Sequence, residues 1–312
     1  MANLYSTTNG LQFVYLIQKS KLIRLEQGDI IMKNYYKLFI LASAISGFCL
    51  SSCNKPESPE NSENPEIRFS VDAPTIAHRG YHTTAIENTE EAFIEAGKRN
   101  FIGIETDIYW TKDGYIICNH NNNIKGMTES IDKYTYEEIM QVNLSDDPDN
   151  PVRVTTFQRY LEICKEYNKI PVIEFKTTPS IFNCEFALRM IQTVYDDELA
   201  PNNVLFISFG KKLCEQMKKI ATENNYTYSI YLLGSNERTV DEAIDAGVNV
   251  SLVHDIIDED IGKKCRDAGI KLAAWTVNEE KYVERLMKCG VVTITTDILE
   301  CDPKYLEQDL DL

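Results

Sequence analysis

The 312-residue chain has little positive charge for its size. It carries 32 lysines and arginines against 48 aspartates and glutamates, which gives a formal net charge of −16 at pH 7. A surface this acidic repels the phosphates of nucleic acids and the headgroups of anionic lipids. We therefore expect no nucleic-acid partner. If the chain acts on a phosphate ester, a local cation must offset the field around that substrate.

Cysteine pairs with the Cys-x-x-Cys spacing are also lacking, although the chain has nine cysteines. This spacing marks many zinc and redox sites, so neither type of site is expected. Cys118, Cys164 and Cys289 lie in apolar stretches and are predicted to be small buried core residues. Cys49 and Cys53 belong to the N-terminal segment considered next. We predict no obligatory disulfide framework, with a single bridge as the alternative.

No apolar run near the N-terminus is long enough to span a bilayer as a helix. Residues 38–50 are 13 uncharged residues in a row, whereas a membrane-spanning helix needs about 20. Lys33 and Lys37 precede this run, and two serines stand directly before Cys53, a pattern typical of an export signal. The end of the run resembles the lipobox of bacterial lipoproteins, which implies cleavage before Cys53 and lipidation of that cysteine. An ordinary signal peptide with an incidental cysteine is the alternative.

These signals divide the chain into three parts. We interpret residues 1–53 as a mis-assigned extension upstream of a start at Met32, followed by a lipoprotein signal peptide; a real cytoplasmic leader is the alternative. Residues 54–70 contain three prolines among Glu, Ser and Asn and are predicted to be a flexible tether. Residues 71–312 form the folded domain. A lipid on Cys53 would anchor this exported domain to a membrane, on the periplasmic or cell-surface side.

After residue 71, eight short β-branched runs alternate with amphipathic segments, which predicts an α/β fold with a parallel sheet. A (β/α)8 barrel of the TIM type fills about 250 residues and fits this length, while a doubly wound open sheet is the alternative. Residues 115–160 break the rhythm and are predicted to be a small insertion between the second and third strands. The predicted strands are Thr75–Ala77, Ile102–Tyr109, Val172–Phe175, Val204–Ser208, Tyr228–Leu232, Val248–Val253, Leu272–Thr276 and Val291–Thr295.

Helical periodicity fills the segments between these strands. The first predicted helix contains Ala92, Phe93 and Ala96, with Asn88 as its candidate N-cap. Further helices are predicted over residues 182–195, 258–268 and 279–288.

Three acidic side chains occupy otherwise apolar predicted strands. Glu105 and Asp107 are two residues apart, so they point to the same face of their strand, and Glu174 lies on the next strand. In a barrel, chemistry gathers at the carboxyl ends of the strands. Carboxylates this close repel one another unless a proton or a cation lies between them. Because no thiol or imidazole joins the set, we predict one hard divalent cation, Mg²⁺ or Ca²⁺; surface salt bridges are the alternative.

An ordered series of motifs resembles the glycerophosphodiester phosphodiesterase family over about residues 75–300. His78-Arg79-Gly80 alone would be a weak signal, but the order and spacing of the whole series are specific. The resemblance implies a β/α barrel, one divalent metal, and hydrolysis of a phosphodiester to a phosphomonoester and an alcohol. The motifs are His78-Arg79-Gly80, Glu87-Asn88-Thr89, Glu105-Thr106-Asp107, Thr111 with Asp113-Gly114, His120, Glu174-Phe175-Lys176, Trp275-Thr276-Val277-Asn278 and Thr296-Asp297.

The resemblance also implies roles by position. Glu105, Asp107 and Glu174 would be the metal ligands. His78 and His120 would be the general acid and base, because histidine titrates near neutral pH and such proton transfer contributes about 10² to 10⁴ in rate. The sequence does not tell which of the two is the base.

Other motif residues are expected to surround the substrate. Arg79 and Lys176 would hold its phosphate, and Glu87 is predicted to support the metal site from behind the ligands. Trp275 either stacks on the alcohol group or belongs to the core. His254 follows the sixth strand and is a candidate substrate contact, since strand ends line the mouth of a barrel.

The chain departs from the family directly after His120. Asn121 stands where the family usually has Asp, so a carbonyl is kept but the charge is lost, and the orientation or basicity of His120 is open to change. His82 lies outside the motifs and is expected to be a loop residue.

Three functions are compatible with the sequence. The first is a metal-dependent phosphodiesterase for small molecules such as deacylated phospholipid headgroups. The second is a phospholipase-type barrel that attacks intact lipids, which the lack of a long apolar segment around residues 121–155 disfavours. The third is a lipoprotein that binds phosphodiesters without turnover; His78 and His120 argue against it, and Asn121 argues for it.

Overall fold

The computed structural model describes residues 70–176, 181–195 and 204–312. Twelve strands, β1–β12, lie in these ranges, and eight parallel ones form a closed barrel because the last pairs back with the first. Closure confirms the predicted (β/α)8 barrel and rules out the open sheet. The ends of each predicted strand lie within two residues of the ends of an observed strand. In barrel order these are β2 (Thr75–Ala77), β3 (Gly103–Trp110), β6 (Ile170–Phe175), β7 (Leu205–Ser208), β8 (Ser229–Gly234), β9 (Asn249–Val253), β10 (Leu272–Trp275) and β11 (Val291–Thr296).

Helices connect successive barrel strands, as the periodicity predicts. The predicted helix over residues 279–288 begins with a 3-10 turn at Glu280–Tyr282. The connecting helices are α1 (Glu90–Gly97), α3 (Phe157–Glu166), α4 (Ile181–Val194), α5 (Lys211–Glu223), α6 (Arg238–Ala246), α7 (Glu259–Asp267) and α8 (Val283–Lys288).

The N-cap of α1 is Thr89, so the prediction of Asn88 was wrong. The Thr89 hydroxyl accepts a hydrogen bond from the Ala92 N–H at 3.4 Å, as N-cap side chains do. Asn88 instead has a φ of +57°, a left-handed conformation that asparagine tolerates better than most residues. This turn directs its side chain to β3.

The alternation along β3 divides its side chains between two environments. Glu105 and Asp107 belong to the inward set, whereas Ile104 and Ile108 pack in the main hydrophobic core with the helices. Tyr160 of α3 ties this layer together, because its hydroxyl donates to the Ile104 carbonyl at 2.7 Å. Strand β3, which carries Glu105 and Asp107, therefore packs one face against the helices and turns the other to the inside of the barrel.

The insertion between the second and third barrel strands forms a small lobe of its own. Strand β4 (Ile116–Cys118) pairs antiparallel with β3, and β5 (Thr155–Thr156) pairs with β4. Helix α2 (Tyr136–Met140) lies between them. The predicted end at residue 160 was too late: the Thr156 hydroxyl caps the connecting helix α3 by accepting from the Arg159 N–H at 3.1 Å.

Two short strands and the chain end lie at the amino-terminal end of the barrel. Strand β1 (Ser70–Val71) pairs with β12 (Glu300–Cys301), so Ser70 belongs to the domain and not to the predicted tether. Leu312 is buried in an apolar cluster with Tyr231 and Leu205. This apolar cluster fills the barrel near the amino ends of its strands, so the polar side chains of the interior lie near the carboxyl ends.

The predicted burial of Cys118, Cys164 and Cys289 is confirmed. All seven cysteines in the described ranges are buried and free of disulfides, these three among them. In the same ranges, none of the helices has the length and apolar character to cross a membrane. The predicted signal peptide, Cys53 and residues 54–69 lie outside the described residues.

Candidate active site

The three predicted metal ligands come together at the carboxyl end of the barrel. Asp107 of β3 lies directly beside Glu174 of β6 in the parallel register, and Glu105 is two residues earlier on the same face. One carboxylate oxygen from each lies within 4.8 Å of the others. All three side chains are buried, with Glu105 only 2% exposed. The alternative of surface salt bridges is therefore excluded.

Burial and mutual repulsion make this cluster costly without a compensating charge. Burial, with the charges of Asp107 and Glu174, raises the pKa of Glu105 well above its ordinary range. Burial and the charge of Asp107 raise the pKa of Glu174 to about 7. Lys176 offsets part of this charge, because its Nζ lies 3.3 Å from Asp107 Oδ1 and 3.0 Å from Glu174 Oε1.

The donor set fits a divalent cation. Glu105 accepts a hydrogen bond from the Arg79 backbone N–H at 2.8 Å, and among the described residues its carboxylate has no ion pair within 4 Å. Three clustered carboxylates with no soft ligand suit a hard cation bound through oxygen. The fully buried Glu105 is the side chain that such a cation would compensate most.

Asn88 orients Asp107 of the acidic cluster, a role that the sequence reasoning missed. Its side-chain NH₂ donates to Asp107 Oδ2 at 2.9 Å. Its carbonyl accepts from the Thr106 hydroxyl at 2.8 Å and from the Asp107 N–H at 3.2 Å. The amide is only 3% exposed, so it fixes Oδ2 of Asp107, while Oδ1 faces Lys176. Its place in Glu87-Asn88-Thr89 was the available signal, and it was interpreted only as a cap.

A tight turn brings Arg79 to the acidic cluster. Arg79 and Gly80 both have left-handed backbones, with φ of +54° and +77°, and a β-carbon on Gly80 would approach the Ala92 backbone to 2.7 Å. The Arg79 guanidinium lies 3.0 Å from Glu87 and 3.5 Å from Asp107. Glu87 thus forms an ion pair with Arg79, whereas the prediction had it support the predicted metal ligands directly.

The two predicted catalytic histidines line the same pocket as Glu105 and Glu174. His78 follows β2, and its Nδ1 lies 2.8 Å from Asp297 Oδ1. His120 is positioned by the insertion: the Asn119 N–H donates to the Asp107 carbonyl at 2.9 Å. Burial lowers the pKa of His120.

In the described part of the chain, the Asn121 side chain forms no hydrogen bond with His120. The residue is exposed, and only its backbone carbonyl is engaged, by Asn119 Nδ2 at 2.7 Å. The predicted effect of this residue on His120 therefore does not act through a hydrogen bond within the described residues.

The far side of the pocket is largely apolar and aromatic. Trp275 lines it, and its indole N–H donates to the Ser251 carbonyl at 3.1 Å. Phe209 stands against it edge to face, with 5.7 Å between ring centroids. Phe209 is 56% exposed, so much of its ring faces the solvent at the mouth of the pocket. Sequence reasoning missed Phe209, although it follows the strand-ending Ser208.

His254 is not brought to this pocket. Its ring packs against Tyr282 with 4.9 Å between centroids, and its Nδ1 lies 3.1 Å from Asp255 Oδ1. Arg285 donates to its backbone carbonyl at 3.1 Å. These contacts join the loop after β9 to the loop after β10 at the rim of the barrel. His82 lies in the turn after β2, as expected of a loop residue, and its Nδ1 is 2.9 Å from the His78 carbonyl oxygen.

The model of the glycerophosphoryl diester phosphodiesterase family matches residues 78–300, more than two thirds of the chain. The chain belongs to this family. The matched range begins at His78 and includes every residue of the pocket except Ile76. The prediction of a phosphoric diester hydrolase, a glycerophosphodiester phosphodiesterase, is thereby confirmed.

Curated relatives of this phosphodiesterase are distant but span most of its length. A glycerophosphodiester phosphodiesterase of Caldanaerobacter subterraneus is 26% identical over 238 residues, which cover 74% of this chain and 95% of the relative. Glycerophosphodiester phosphodiesterase 1 of Mus musculus is 26% identical over 272 residues, covering 74% of this chain and 80% of the relative.

Solved structures with this fold support the barrel assignment. A glycerophosphodiester phosphodiesterase from Parabacteroides distasonis is similar with a TM-score of 0.61 and 23% identity, over 76% of this chain and 96% of that one. A phosphodiesterase from Oleispira antarctica, solved in complex with the product sn-glycerol-3-phosphate, has a TM-score of 0.61 and 20% identity, over 75% of this chain and 95% of that one. At these identities the likeness shows the fold.

Proposed function

We propose that this phosphodiesterase hydrolyses glycerophosphodiesters to glycerol phosphate and an alcohol, using one divalent cation and a histidine pair. The observation that carries the proposal is one pocket that contains both His78 and His120 beside a buried cluster of three carboxylates. Each part matches a need of phosphodiester hydrolysis: a charge to stabilise the ester, and groups that accept and donate a proton.

Glu105, Asp107 and Glu174 would hold the cation, Mg²⁺ or Ca²⁺. When bound, such an ion polarises a phosphoryl oxygen and stabilises the charge that develops on it. Lys176 and Arg79 line the same pocket as positively charged side chains. They bind and orient the phosphate, and they offset the repulsion that a chain with a net charge of −16 exerts on an anionic ester.

His78 and His120 move the protons. One imidazole removes a proton from the attacking water and the other gives a proton to the departing alcohol, so that a P–O bond to water forms as the P–O bond to the alcohol breaks. The lowered pKa of His120 keeps this ring neutral at pH 7, so it serves first as the proton acceptor of its step. His78 has a carboxylate partner in Asp297, which stabilises the positive charge that appears when its ring is protonated.

The shape of the pocket supports a small substrate. Its cavity volume is about 160 Å³, below the roughly 300–1,000 Å³ of sites that hold drug-sized molecules. The relative from Oleispira antarctica was solved with sn-glycerol-3-phosphate as its product, and the carboxylate side of this pocket has the charges to hold such a phosphate. Phe209 and Trp275 provide the apolar wall against which the alcohol carbons pack.

Metal dependence of turnover tests the proposal. The purified protein is stripped with a chelator and assayed on glycerophosphodiesters with choline, ethanolamine, glycerol and inositol headgroups, with and without Mg²⁺ or Ca²⁺. We expect glycerol phosphate to form only with added metal. Binding of these esters without any product would support a binding lipoprotein, and cleavage of intact phospholipids in preference to them would support a phospholipase.

His78→Ala should lower kcat about 10²- to 10⁴-fold, because it removes one proton-transfer group, while circular dichroism shows an intact barrel. The matched control is His254→Gln, because His254 also lies at the rim of the barrel but outside the pocket. We expect its kcat to equal that of the wild type. Equal turnover in His78→Ala and the wild type would refute the role of His78.

We also propose that the protein is exported and anchored to a membrane through a lipid on Cys53. The support is the charged start, the 13-residue apolar run and the serines before the cysteine. Cells grown with labelled palmitate should incorporate the label into the wild type and into Cys49→Ser. Cys53→Ser should carry no label, and the mature wild-type chain should begin at Cys53. Label in Cys53→Ser would refute the anchor.

A further inference from the structure

The ring of His78 faces a built hydrogen-bonding network on the side away from the pocket. Asp297 follows the last barrel strand and His78 follows the first, and the two strands pair in register at Thr296 and Ala77. The His78 N–H donates to the Thr296 carbonyl at 2.9 Å. Asp297 Oδ1 then lies 2.8 Å from Nδ1 of the ring. Closure of the barrel thus creates this contact between residues 219 positions apart.

From this geometry we propose that Asp297 is a positioning residue for His78, with Asn278 fixing the direction of its carboxylate. This proposal rests on the proposed function, because it concerns His78 as a proton-transfer group. Asp297 does not line the pocket. It acts through the imidazole and has no contact with the substrate.

The contact selects one tautomer of the ring. An ionised carboxylate only accepts hydrogen bonds, and hydrogen bonds from His78 and Asn278 outweigh the effect of burial and hold the pKa of Asp297 below its usual range. The proton of the neutral His78 ring must therefore sit on Nδ1. Nε2 is then left with its lone pair, the atom that can take a proton in the pocket.

Asn278 occupies one oxygen of the Asp297 carboxylate and thereby fixes which oxygen faces His78. The Asn278 carbonyl accepts from the Asp297 N–H at 2.9 Å and from the Thr296 hydroxyl at 3.2 Å. These two donors fix the orientation of the amide, since a side-chain NH₂ in that place would face two other donors. The Asn278 NH₂ is thereby turned to Asp297 Oδ2, to which it donates at 2.6 Å.

This network predicts the effect of replacing Asp297 by asparagine. The new side chain has one acceptor and one NH₂ group. The fixed NH₂ of Asn278 claims the acceptor, so the NH₂ of the new residue faces His78 Nδ1. Nδ1 must then accept, and the proton of the ring moves to Nε2. The lone pair at Nε2, through which His78 would exchange a proton in the pocket, is lost although the ring hardly moves.

The network also predicts a rescue. In the double variant Asn278→Asp with Asp297→Asn, the carboxylate at 278 still accepts hydrogen bonds from the backbone N–H of residue 297 and from the Thr296 hydroxyl. It also accepts one from the side-chain NH₂ of the new residue at 297. The amide carbonyl at 297 is then free to face His78 and accepts from Nδ1 again. The exchange restores the original tautomer with a neutral acceptor in place of a charged one.

Nitrogen-15 NMR of histidine-labelled protein reads the tautomer directly. The chain has four histidines, so four imidazole signals are expected, and the His78 signal is assigned by its loss in His78→Gln. We expect Nδ1–H in the wild type, Nε2–H in Asp297→Asn and Nδ1–H in the double variant. His254→Gln is the matched control, since His254 lies outside the pocket and packs against Tyr282, and it should not change the tautomer of His78.

Kinetics on the same proteins provide the second readout. Asp297→Asn should lower kcat about 10²- to 10⁴-fold, as loss of one proton-transfer group does, with KM and metal affinity within about twofold of the wild type. The double variant should recover at least about tenfold of the lost kcat.

An Nδ1–H tautomer in Asp297→Asn, an Nε2–H tautomer in the wild type, or no rescue in the double variant would overturn the proposal. If the wild type hydrolyses no glycerophosphodiester, the proposed function fails, and the tautomers still decide the role of Asp297.

Discussion

Without its divalent cation, the protein should lose stability as the pH rises from about 5 to 8. Burial and the neighbouring charge of Asp107 raise the pKa of Glu174 from its ordinary 4.5 to about 7. Between these two values the folded protein holds a proton that the unfolded chain has already released. Because the folded state binds more protons in this window, its free energy of unfolding falls as the pH rises.

The size of the effect follows from the two pKa values. One pKa unit corresponds to about 1.36 kcal/mol, so Glu174 removes about 3 kcal/mol once the pH exceeds 7. This is a large part of the ~5–15 kcal/mol that stabilises a typical domain. Glu105 adds to the loss, since its pKa is raised too. His120 acts in the opposite direction: burial lowers its pKa, so stability rises with pH below about 6.5.

Urea unfolding in the presence of a chelator measures this loss at pH 5, 6, 7 and 8. The wild type is compared with Glu174→Gln, which keeps the shape and loses the charge, so that the contribution of His120 cancels. Above pH 7, Glu174→Gln should be more stable than the wild type by about 3 kcal/mol. The matched control is Glu166→Gln on the exposed face of α3, which should follow the wild type.

Adding Mg²⁺ or Ca²⁺ above pH 7 should restore stability to the wild type and give Glu174→Gln a much smaller gain, because a cation that binds only the folded state stabilises it in proportion to its affinity. If the wild type and Glu174→Gln show the same dependence on pH in chelator, the reasoning about the buried carboxylates is wrong.

Three further substitutions test other parts of the site. Glu105→Gln should abolish binding of the divalent cation in isothermal calorimetry, and an unchanged binding curve would remove this residue from the ligand set. Asn88→Ala should cost about 1–3 kcal/mol of stability by leaving the polar groups of Asp107 unsatisfied and weaken metal affinity about 10- to 100-fold; wild-type values in urea unfolding and calorimetry would contradict its orienting role. Gly80→Ala should destabilise the protein by about 1–3 kcal/mol, because its φ of +77° and the nearby Ala92 backbone exclude a methyl group. A melting temperature equal to that of the wild type would show that the turn adapts.

The strands and the acidic cluster were predictable because each depends on residues close together in the chain. The two-residue spacing of Glu105 and Asp107 fixes their common face in any strand. Glu174 could be added because adjacent parallel strands end at the same rim. The two histidines proposed as acid and base came from the resemblance of the motifs to a family, and the structure places both in the pocket.

Other roles were not predictable because they depend on which donor meets which acceptor across the barrel. Asn88 has the residue type and position of a helix cap, and only the turn at φ +57° sends it to Asp107. His254 follows a barrel strand, as a site residue should, yet its ring packs against Tyr282. Spacing along the chain holds no information on such rotations of side chains.

The sequence by itself determined the barrel, the set of acidic side chains and the family, since these follow from periodicity and from motifs read along the chain. Only the tertiary structure decided the partner of each polar group: Asp297 for His78, Glu87 for Arg79, and Lys176 for two of the carboxylates. For His78 and Asp297 the physical reason is closure of the sheet. Hydrogen bonds and ion pairs act over a few ångströms, and joining the first strand to the last brings within that range residues that are more than two hundred positions apart.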